Sequence, residues 1–228
     1  MSELERKNGP SAVAETVTKD GRRIGTEVLF SAKDITKTFG GTQALKGVEL
    51  EINPGEIVGL VGENGAGKST LLKIIIGAQP QTSGTMMFHG KPYEPKTPMD
   101  ANKAGVGMVF QEQSLIVTLN VAQNIFFGHE KEFKSVPKKV SDLNFATRQM
   151  VEIAKVINVT KQSGAEHCLI LLDEPTSVLN EAEVQNLYKQ MRKIADRGHA
   201  VIFVSHHLDE ILHITDRIYV CNDGSSVG

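Results

Sequence analysis

Residues 62–70 have the side chains and the spacing needed to hold a phosphate chain. Their sequence, GENGAGKST, satisfies the phosphate-loop pattern GxxxxGK[ST] without a mismatch. The glycines let backbone N–H groups close around phosphate oxygens, and a following helix adds the partial positive charge of its N-terminus. The pattern predicts a nucleotide triphosphate site, with a glycine-rich strand-to-helix turn as the alternative. The predicted binding residues are Gly62, Glu63, Asn64, Gly65, Ala66, Gly67, Lys68, Ser69 and Thr70.

Two side chains of this loop carry specific chemistry. Lys68 is placed to reach the β and γ phosphates of the nucleotide. The hydroxyl of Ser69 is predicted to be one of the few protein ligands of a Mg²⁺ ion that keeps most of its waters. A nucleotide triphosphate and Mg²⁺ are therefore the expected cofactors.

A pair of adjacent acids forms the second candidate group. The apolar run Leu169–Leu172 is followed directly by Asp173 and Glu174. An acid at the carboxyl end of a strand lies at the crevice where α/β sheets bind ligands. Asp173 is predicted to orient the hydrated Mg²⁺, and Glu174 to polarise an attacking water as a general base. A solvated acidic turn is the alternative, and the intact phosphate loop favours the functional interpretation.

The elements around these residues predict an α/β fold. An apolar run at 57–61 precedes the loop and apolar residues continue at helical spacing over 71–76, so the loop joins a buried strand to a helix. Alternation at 28–39 and 48–52 predicts antiparallel strands. Four later strand-like runs are separated by helical patterns, which is typical of a mainly parallel sheet wrapped in helices. These runs are Val106–Phe110, Cys168–Leu172, Ala200–Val204 and Arg217–Cys221.

Two of the intervening helices have clear boundaries. Asn180 and Glu183 have the spacing of a capping box, so we expect a helix to begin after Asn180 and to stop at Gly198. A second helix is predicted from about Thr147 to Ile157 by its apolar face.

Length and composition narrow the classes of protein. The 228 residues fit one domain over 26–228, after a polar segment over 1–25 that we expect to be a disordered extension. The net charge of -2 and the lack of a basic stripe with interleaved aromatics argue against nucleic acid as a partner. Cys168 and Cys221 lie in apolar runs and are expected to be buried thiols. No apolar run approaches membrane-spanning length, so any membrane role depends on another chain.

The order of the motifs resembles the ATP-binding subunits of ABC transporters. The phosphate loop is followed by VFQE at 109–112, LNFATRQ at 143–149, DEPTS at 173–177 and VSH at 204–206. The runs RQMVEIAK at 148–155 and SHHLDEI at 205–211 look most like the first half of monosaccharide importer ATPases of the ribose, galactose and xylose type. The resemblance implies a phosphate-loop NTPase fold of ABC type, with a mainly parallel sheet core, an antiparallel β subdomain and a helical subdomain at about 112–160.

The resemblance also implies roles for residues outside the two motifs. Phe39 falls where family members stack an aromatic on adenine, although an aromatic in an amphipathic strand is more often part of the core. Gln111 corresponds to a residue that touches Mg²⁺ or the lytic water, which makes Ser69, Gln111 and Asp173 the expected metal ligands. His206 corresponds to the histidine that hydrogen-bonds the γ-phosphate of ATP.

Two stretches depart from the family pattern. The signature Leu-Ser-Gly-Gly-Gln, which binds ATP held by the opposing half of a head-to-tail dimer, is replaced by LNFAT at 143–147. Asn144 can still cap the helix that follows, but Phe145 and Ala146 add Cβ atoms where a close backbone approach needs glycine. The interval from Gln111 to Leu143 is also short, which predicts a reduced helical subdomain.

The resemblance implies an ATPase that powers sugar import through separate membrane subunits, together with a partner ATPase half and, indirectly, a substrate-binding protein. Such a chain is cytoplasmic and peripheral on the inner face of the cell membrane. The alternative is a nucleotide-dependent switch that binds ATP with little turnover, because the signature and the helical region are impaired. An ABC ATPase acting on ribosomes or DNA would carry basic arms or long heptad repeats, and the sequence has neither.

Overall fold

A six-stranded sheet forms the centre of the protein, in a computed structural model that describes residues 15–18, 21–110, 114–126 and 138–227. Its strands are β5 (Ile57–Val61), β8 (Val106–Val109), β9 (Leu169–Asp173), β10 (Ala200–Val204), β11 (Arg217–Asn222) and β12 (Ser225–Val227). Their order across the sheet is β12, β11, β5, β10, β9, β8. All neighbours pair in parallel except β11 and β12. The predicted mainly parallel core is confirmed.

A second sheet of four antiparallel strands packs beside the first. It consists of β3 (Phe30–Phe39), β4 (Thr42–Ile52), β6 (Ser83–Phe88) and β7 (Lys91–Pro92), in the order β4, β3, β6, β7. Alternating side chains of its long strands are buried, among them Phe30, Ala32, Leu50 and Ile52. The predicted antiparallel subdomain is confirmed.

Six α-helices lie in the described parts of the chain. They are α1 (Lys68–Ile75), α2 (Pro98–Ala104), α3 (Val121–Ile125), α4 (Phe145–Lys161), α5 (Glu181–Ala195) and α6 (Leu208–Ile214), with a short 3₁₀ helix at Val140–Asp142. The capping box predicted for α5 is present, because Asn180 and Glu183 exchange side-chain to backbone hydrogen bonds. Helix α4 extends beyond the predicted 147–157. None of these helices is long and apolar enough to span a lipid bilayer.

Two hydrophobic clusters cover the two faces of the central sheet. Successive residues of a strand point to opposite faces, so Leu169 and Leu171 join the cluster shared with α1 and the antiparallel sheet. Ile170 and Leu172 join the cluster on the other face, where α5 packs. Both sides of β9 and β10 are therefore apolar, and the polar groups of these strands are confined to their ends.

The expected disorder of residues 1–25 is wrong for two segments of that stretch. β1 (Glu15–Val17) and β2 (Arg23–Gly25) pair as an antiparallel hairpin. Arg22 forms an ion pair with Asp216 and donates to the carbonyl of Gly55 at 3.0 Å. Composition alone indicated disorder, since it does not show that Arg22 bonds to Gly55 and Asp216, which lie far away along the chain. Residues 1–14, 19 and 20 lie outside the described residues.

A buried histidine joins the start of β9, which leads to the acidic pair, to the start of β10, which leads to His206. His199 is 8% exposed, and its Nδ1 accepts a hydrogen bond from the backbone N–H of Cys168 at 3.1 Å. Burial lowers the pKa of His199 below its ordinary value, and the positive charges of Lys161, His167 and Arg197 lower that pKa further. The fold therefore holds this imidazole neutral. Cys168 and Cys221 are both buried, as predicted.

Protonation of His199 is expected to destabilise the fold at mildly acidic pH. A histidine whose folded pKa is depressed contributes stability above its ordinary pKa of 6.5, and that contribution is lost as the pH falls below 6.5 toward the depressed value. The loss of unfolding free energy between pH 7.5 and pH 5 should be smaller in His199→Gln than in the parent, because glutamine does not titrate in this range. Urea denaturation at the two pH values measures this. The exposed His207→Gln should keep the parental loss, and an equal loss in His199→Gln would contradict the assignment.

Candidate nucleotide site

The phosphate loop lies between β5, which ends at Val61, and α1, which begins at Lys68. This is the strand–loop–helix context that the motif requires. A cleft of about 350 Å³ opens beside the loop. The cleft is lined by Ala44, Asn64, Gly65, Gly67, Lys68, Ser69, Thr70 and Glu174. The structure thus brings six of the nine predicted loop residues together with Glu174, which directly follows β9.

Two glycines of the loop are required by close backbone packing. A Cβ atom on Gly62 would lie 2.2 Å from the carbonyl oxygen of Cys221 in β11. A Cβ atom on Gly67, whose φ is +97°, would lie 2.5 Å from the side chain of Leu45 and 3.0 Å from the carbonyl of Ala44. A side chain at either position would displace the neighbouring backbone or the core, so these positions fix the shape of the loop.

Lys68 is folded into the loop. Its side chain is buried, and its Nζ donates to the carbonyl oxygens of Gly62 at 2.6 Å and Glu63 at 2.9 Å. These two carbonyls hold the ammonium group against the loop, at the N-terminus of α1. The positive charge and the helix N-terminus therefore act on the same small volume.

Asp173 faces the residue that follows this lysine. The Oγ atom of Ser69 donates to Oδ1 of Asp173 at 3.3 Å. Asp173 is 5% exposed, and burial raises the pKa of its carboxyl above the ordinary range, while the hydrogen bond from Ser69 opposes the rise. A hydroxyl and a carboxylate at this distance are oxygen donors of the type that Mg²⁺ binds in proteins.

Glu174 and His206 meet at the carboxyl ends of neighbouring strands. Oε1 of Glu174 lies 3.5 Å from Nδ1 of His206. Their side chains are 20% and 47% exposed, so both reach solvent. Glu174 has a φ of +46°, a left-handed conformation that is unfavourable for a residue with a side chain. Its backbone N–H donates to the carbonyl of Val204 at 3.1 Å, which connects the turn after β9 to β10.

Of the other two predicted site residues, Phe39 and Gln111, the structure describes only Phe39. Phe39 is 45% exposed at the end of β3, so it is not a core residue, and the ammonium of Lys37 lies 4.9 Å from its ring centroid. Among the described residues, those that line the cleft do not include Phe39. Gln111 lies outside the described residues. Sequence analysis did not select Ala44, which lines the cleft, because an alanine in an alternating strand gives no signal.

The segment in place of the family signature starts a regular helix. The side chain of Asn144 accepts a hydrogen bond from the backbone N–H of Thr147 at 2.9 Å, so the expected cap is present. Arg148 donates to the carbonyls of Val140 and Leu143 at 3.1 Å and fastens the preceding turn. Phe145 is 40% exposed. A large aromatic side chain therefore stands at the surface where the signature would offer glycine.

The fold and the cleft together define a phosphate-loop nucleotide-binding domain of α/β type. A family model described as ABC transporter matches residues 45–177. The chain belongs to this family. Two solved structures show the same fold. A nucleotide-free ATP-binding cassette of an ABC transporter is 21% identical with a TM-score of 0.75, over 89% of this chain and 90% of that one. A cassette in its ADP conformation is 22% identical with a TM-score of 0.76, over 89% and 91%.

The chain is also similar to curated proteins that are named ribose import ATP-binding proteins. Ribose import ATP-binding protein RbsA 2 of Escherichia coli O157:H7 is 38% identical over 223 residues, which cover 88% of this chain and 43% of that protein. RbsA of Burkholderia mallei is 39% identical over 226 residues, covering 89% and 44%. The chain thus spans less than half the length of these relatives. Because 88% of 228 residues is about 201, about 20 of the 223 aligned positions have no counterpart in this chain.

Gly62→Ala is expected to damage nucleotide binding more than an ordinary glycine substitution does. The new Cβ would overlap the Cys221 carbonyl, so we expect a loss of about 1–3 kcal/mol in stability and at least about a tenfold weaker Kd for ATP. Calorimetric titration and thermal unfolding measure the two effects.

The matched control is Gly164→Ala, in a surface turn. Gly164 has a φ of +75° with open space around it, so this change adds backbone strain without a clash. It should leave the Kd for ATP unchanged. A parental Kd in Gly62→Ala would show that the close packing at Gly62 does not shape the site.

Proposed function

We propose that the chain binds Mg·ATP and hydrolyses it to power sugar import through separate membrane subunits, acting with a partner ATPase half. The observation that carries the proposal is one cleft lined by Lys68, Ser69 and Glu174, in which Ser69 also donates a hydrogen bond to Asp173. These are groups that hold phosphates, a hydrated divalent cation and an attacking water in phosphoryl transfer.

The donor set beside the loop fits Mg²⁺. Ser69 and Asp173 offer a hydroxyl and a carboxylate 3.3 Å apart, both oxygen donors, and Gln111 is the proposed third contact. Mg²⁺ bound there would neutralise part of the negative charge of the phosphates. The proposed metal ligands are thus the same three residues that the sequence predicts, with Gln111 outside the described structure.

The remaining residues act on the phosphate and on water. The amides of the loop, the N-terminus of α1 and Lys68 hold the β and γ phosphates. Glu174 accepts the proton of the attacking water, and His206, 3.5 Å from it, hydrogen-bonds the γ-phosphate. Phe39, exposed and at the end of β3, is the proposed adenine contact. Positioning and electrostatics provide most of the rate enhancement.

The partner half supplies what this chain lacks. A γ-phosphate held at Lys68 needs the signature of an opposing half, and in this chain Phe145 stands at the signature position. The length of the relatives, more than twice the matched region, supports a second half in the functional unit. We therefore propose that the working site combines this phosphate loop with a signature from another segment.

Sugar import is proposed from the similarity to relatives that are ribose import proteins. Permease subunits are the expected membrane partners, with a substrate-binding protein acting indirectly, and the proposed location is the cytoplasmic face of the membrane. The proposed nucleotide-binding domain spans 26–228, with a shortened helical subdomain at about 112–160. Which sugar is carried follows from those partners and not from this chain.

Glu174→Gln tests the proposed base. The amide keeps the size of the side chain but accepts protons poorly, so steady ATP turnover in the assembled complex should fall by about 10²–10⁴-fold while ATP still binds. Phosphate release and calorimetric binding measure the two quantities. Glu181→Gln, the same change at an exposed site in the first turn of α5, is the control. Turnover at the parental rate in Glu174→Gln would defeat the base role.

The exposed Phe145 favours a second candidate, a nucleotide-dependent switch that binds ATP and turns it over slowly. If the first proposal holds, adding a partner domain with an intact Leu-Ser-Gly-Gly-Gln signature should raise ATP turnover of this chain at least about tenfold. The expected reason is that the opposing signature completes the charge stabilisation of the γ-phosphate. Steady-state turnover of the mixture measures this. A partner domain with a mutated signature is the control. If the intact partner does not raise ATP turnover, the result supports the switch.

A further inference from the structure

We propose that Glu210 is a positioning residue, which holds the turn bearing Glu174 and the turn bearing His206 in one arrangement. This inference rests on the proposed function, because it assigns Glu210 to the geometry of the hydrolytic pair. Glu210 lies in the first turn of α6 and does not line the cleft beside the phosphate loop. Its action on the site is therefore through other residues.

One carboxylate oxygen of Glu210 accepts two hydrogen bonds from different turns. Its Oε2 accepts from Oγ1 of Thr176 at 2.8 Å and from Oγ of Ser205 at 2.6 Å. Both donors are buried, at 6% and 1% exposure. Thr176 follows Glu174 by two residues, and Ser205 directly precedes His206. A single oxygen thus joins the segments that follow β9 and β10.

The bond to Ser205 extends to the backbone on the far side of His206. The backbone N–H of His207 donates to Oγ of Ser205 at 3.0 Å. The hydroxyl of Ser205 therefore accepts from the residue after His206 while it donates to Glu210. This arrangement fixes the backbone on both sides of His206, whose own side chain is exposed.

The turn on the other strand needs such support. Glu174 has a φ of +46°, and an unfavourable backbone conformation of this kind persists only where the surroundings fix it. One constraint is the hydrogen bond from its N–H to Val204, the residue before Ser205. The bond from Thr176 to Glu210 is the second. Together they hold Oε1 of Glu174 at 3.5 Å from Nδ1 of His206.

A simpler role for Glu210 is that of an acid in the first turn of a helix. Negative charge is favourable there, and Asp209 occupies the same turn. The two residues differ in exposure and in hydrogen bonding. Asp209 is exposed, whereas Glu210 is partly buried and hydrogen-bonded to Thr176 and Ser205. Asp209→Asn is therefore a matched control that removes a helix-end charge and leaves the bridge intact.

The test measures turnover and ATP affinity of the full chain with its partner half. Glu210→Ala should lower kcat by about tenfold to a hundredfold, because the reacting groups lose their alignment, with the Kd for ATP within about threefold of the parent. Glu210→Gln should stay within about threefold in kcat, since both bonds use one acceptor oxygen that an amide retains. Asp209→Asn should match the parent. Parental kcat in Glu210→Ala, or equal losses in Glu210→Ala and Asp209→Asn, would overturn the proposal.

Hydrogen exchange gives a readout that does not depend on hydrolysis. In Glu210→Ala the amides of Glu174 and His207 should exchange at least about tenfold faster, whereas amides in β5 should be unchanged. If Glu174→Gln leaves turnover intact, the base role fails, yet faster exchange still supports the bridge. If Glu210→Ala does not fold, Thr176→Val and Ser205→Ala each remove one bond and should each accelerate the same amides. Parental exchange in both of these variants would overturn the proposal.

Discussion

Close backbone packing holds the phosphate loop between the two sheets of the protein. Gly62 lies against the carbonyl of Cys221 in the six-stranded sheet, and Gly67 lies against Ala44 and Leu45 in the antiparallel sheet. The loop therefore packs against both sheets. Its shape is set before any ligand arrives, because neither side can move without disturbing a core. This preorganisation means that little of the binding free energy is spent on ordering the loop.

The strand order of the six-stranded sheet explains why the candidate catalytic groups gather at one edge. β9 and β10 are parallel neighbours, so the residues after them emerge side by side at the carboxyl edge. Asp173 then faces Ser69 and Glu174 faces His206 without any long connecting loop. The buried His199 fixes the opposite ends of the same strands through the N–H of Cys168. A polar group at each end leaves the apolar interior of the sheet undisturbed.

Local patterns made most of these features predictable from the sequence. The loop motif, the strand runs and the capping box of α5 each depend on residues within a few positions of one another, and the structure confirms the elements they predict. The bridge from Glu210 to Thr176 joins residues 34 positions apart, and the φ of Glu174 is a product of its surroundings. Such features depend on tertiary contacts. Sequence patterns carry no signal for them.

The N-terminal hairpin is part of the folded unit, although it precedes the domain predicted from the sequence. Asp216 accepts from the backbone N–H of Ile57 at 2.8 Å, at the start of the strand that leads into the phosphate loop, and it also pairs with Arg22. Both side chains of the pair are about nine-tenths buried. Removing residues 1–25, which precede the domain predicted from the sequence, would leave this carboxylate buried without its cation, a costly arrangement. The strand that leads into the phosphate loop is thus held in part by a residue outside the family match at 45–177.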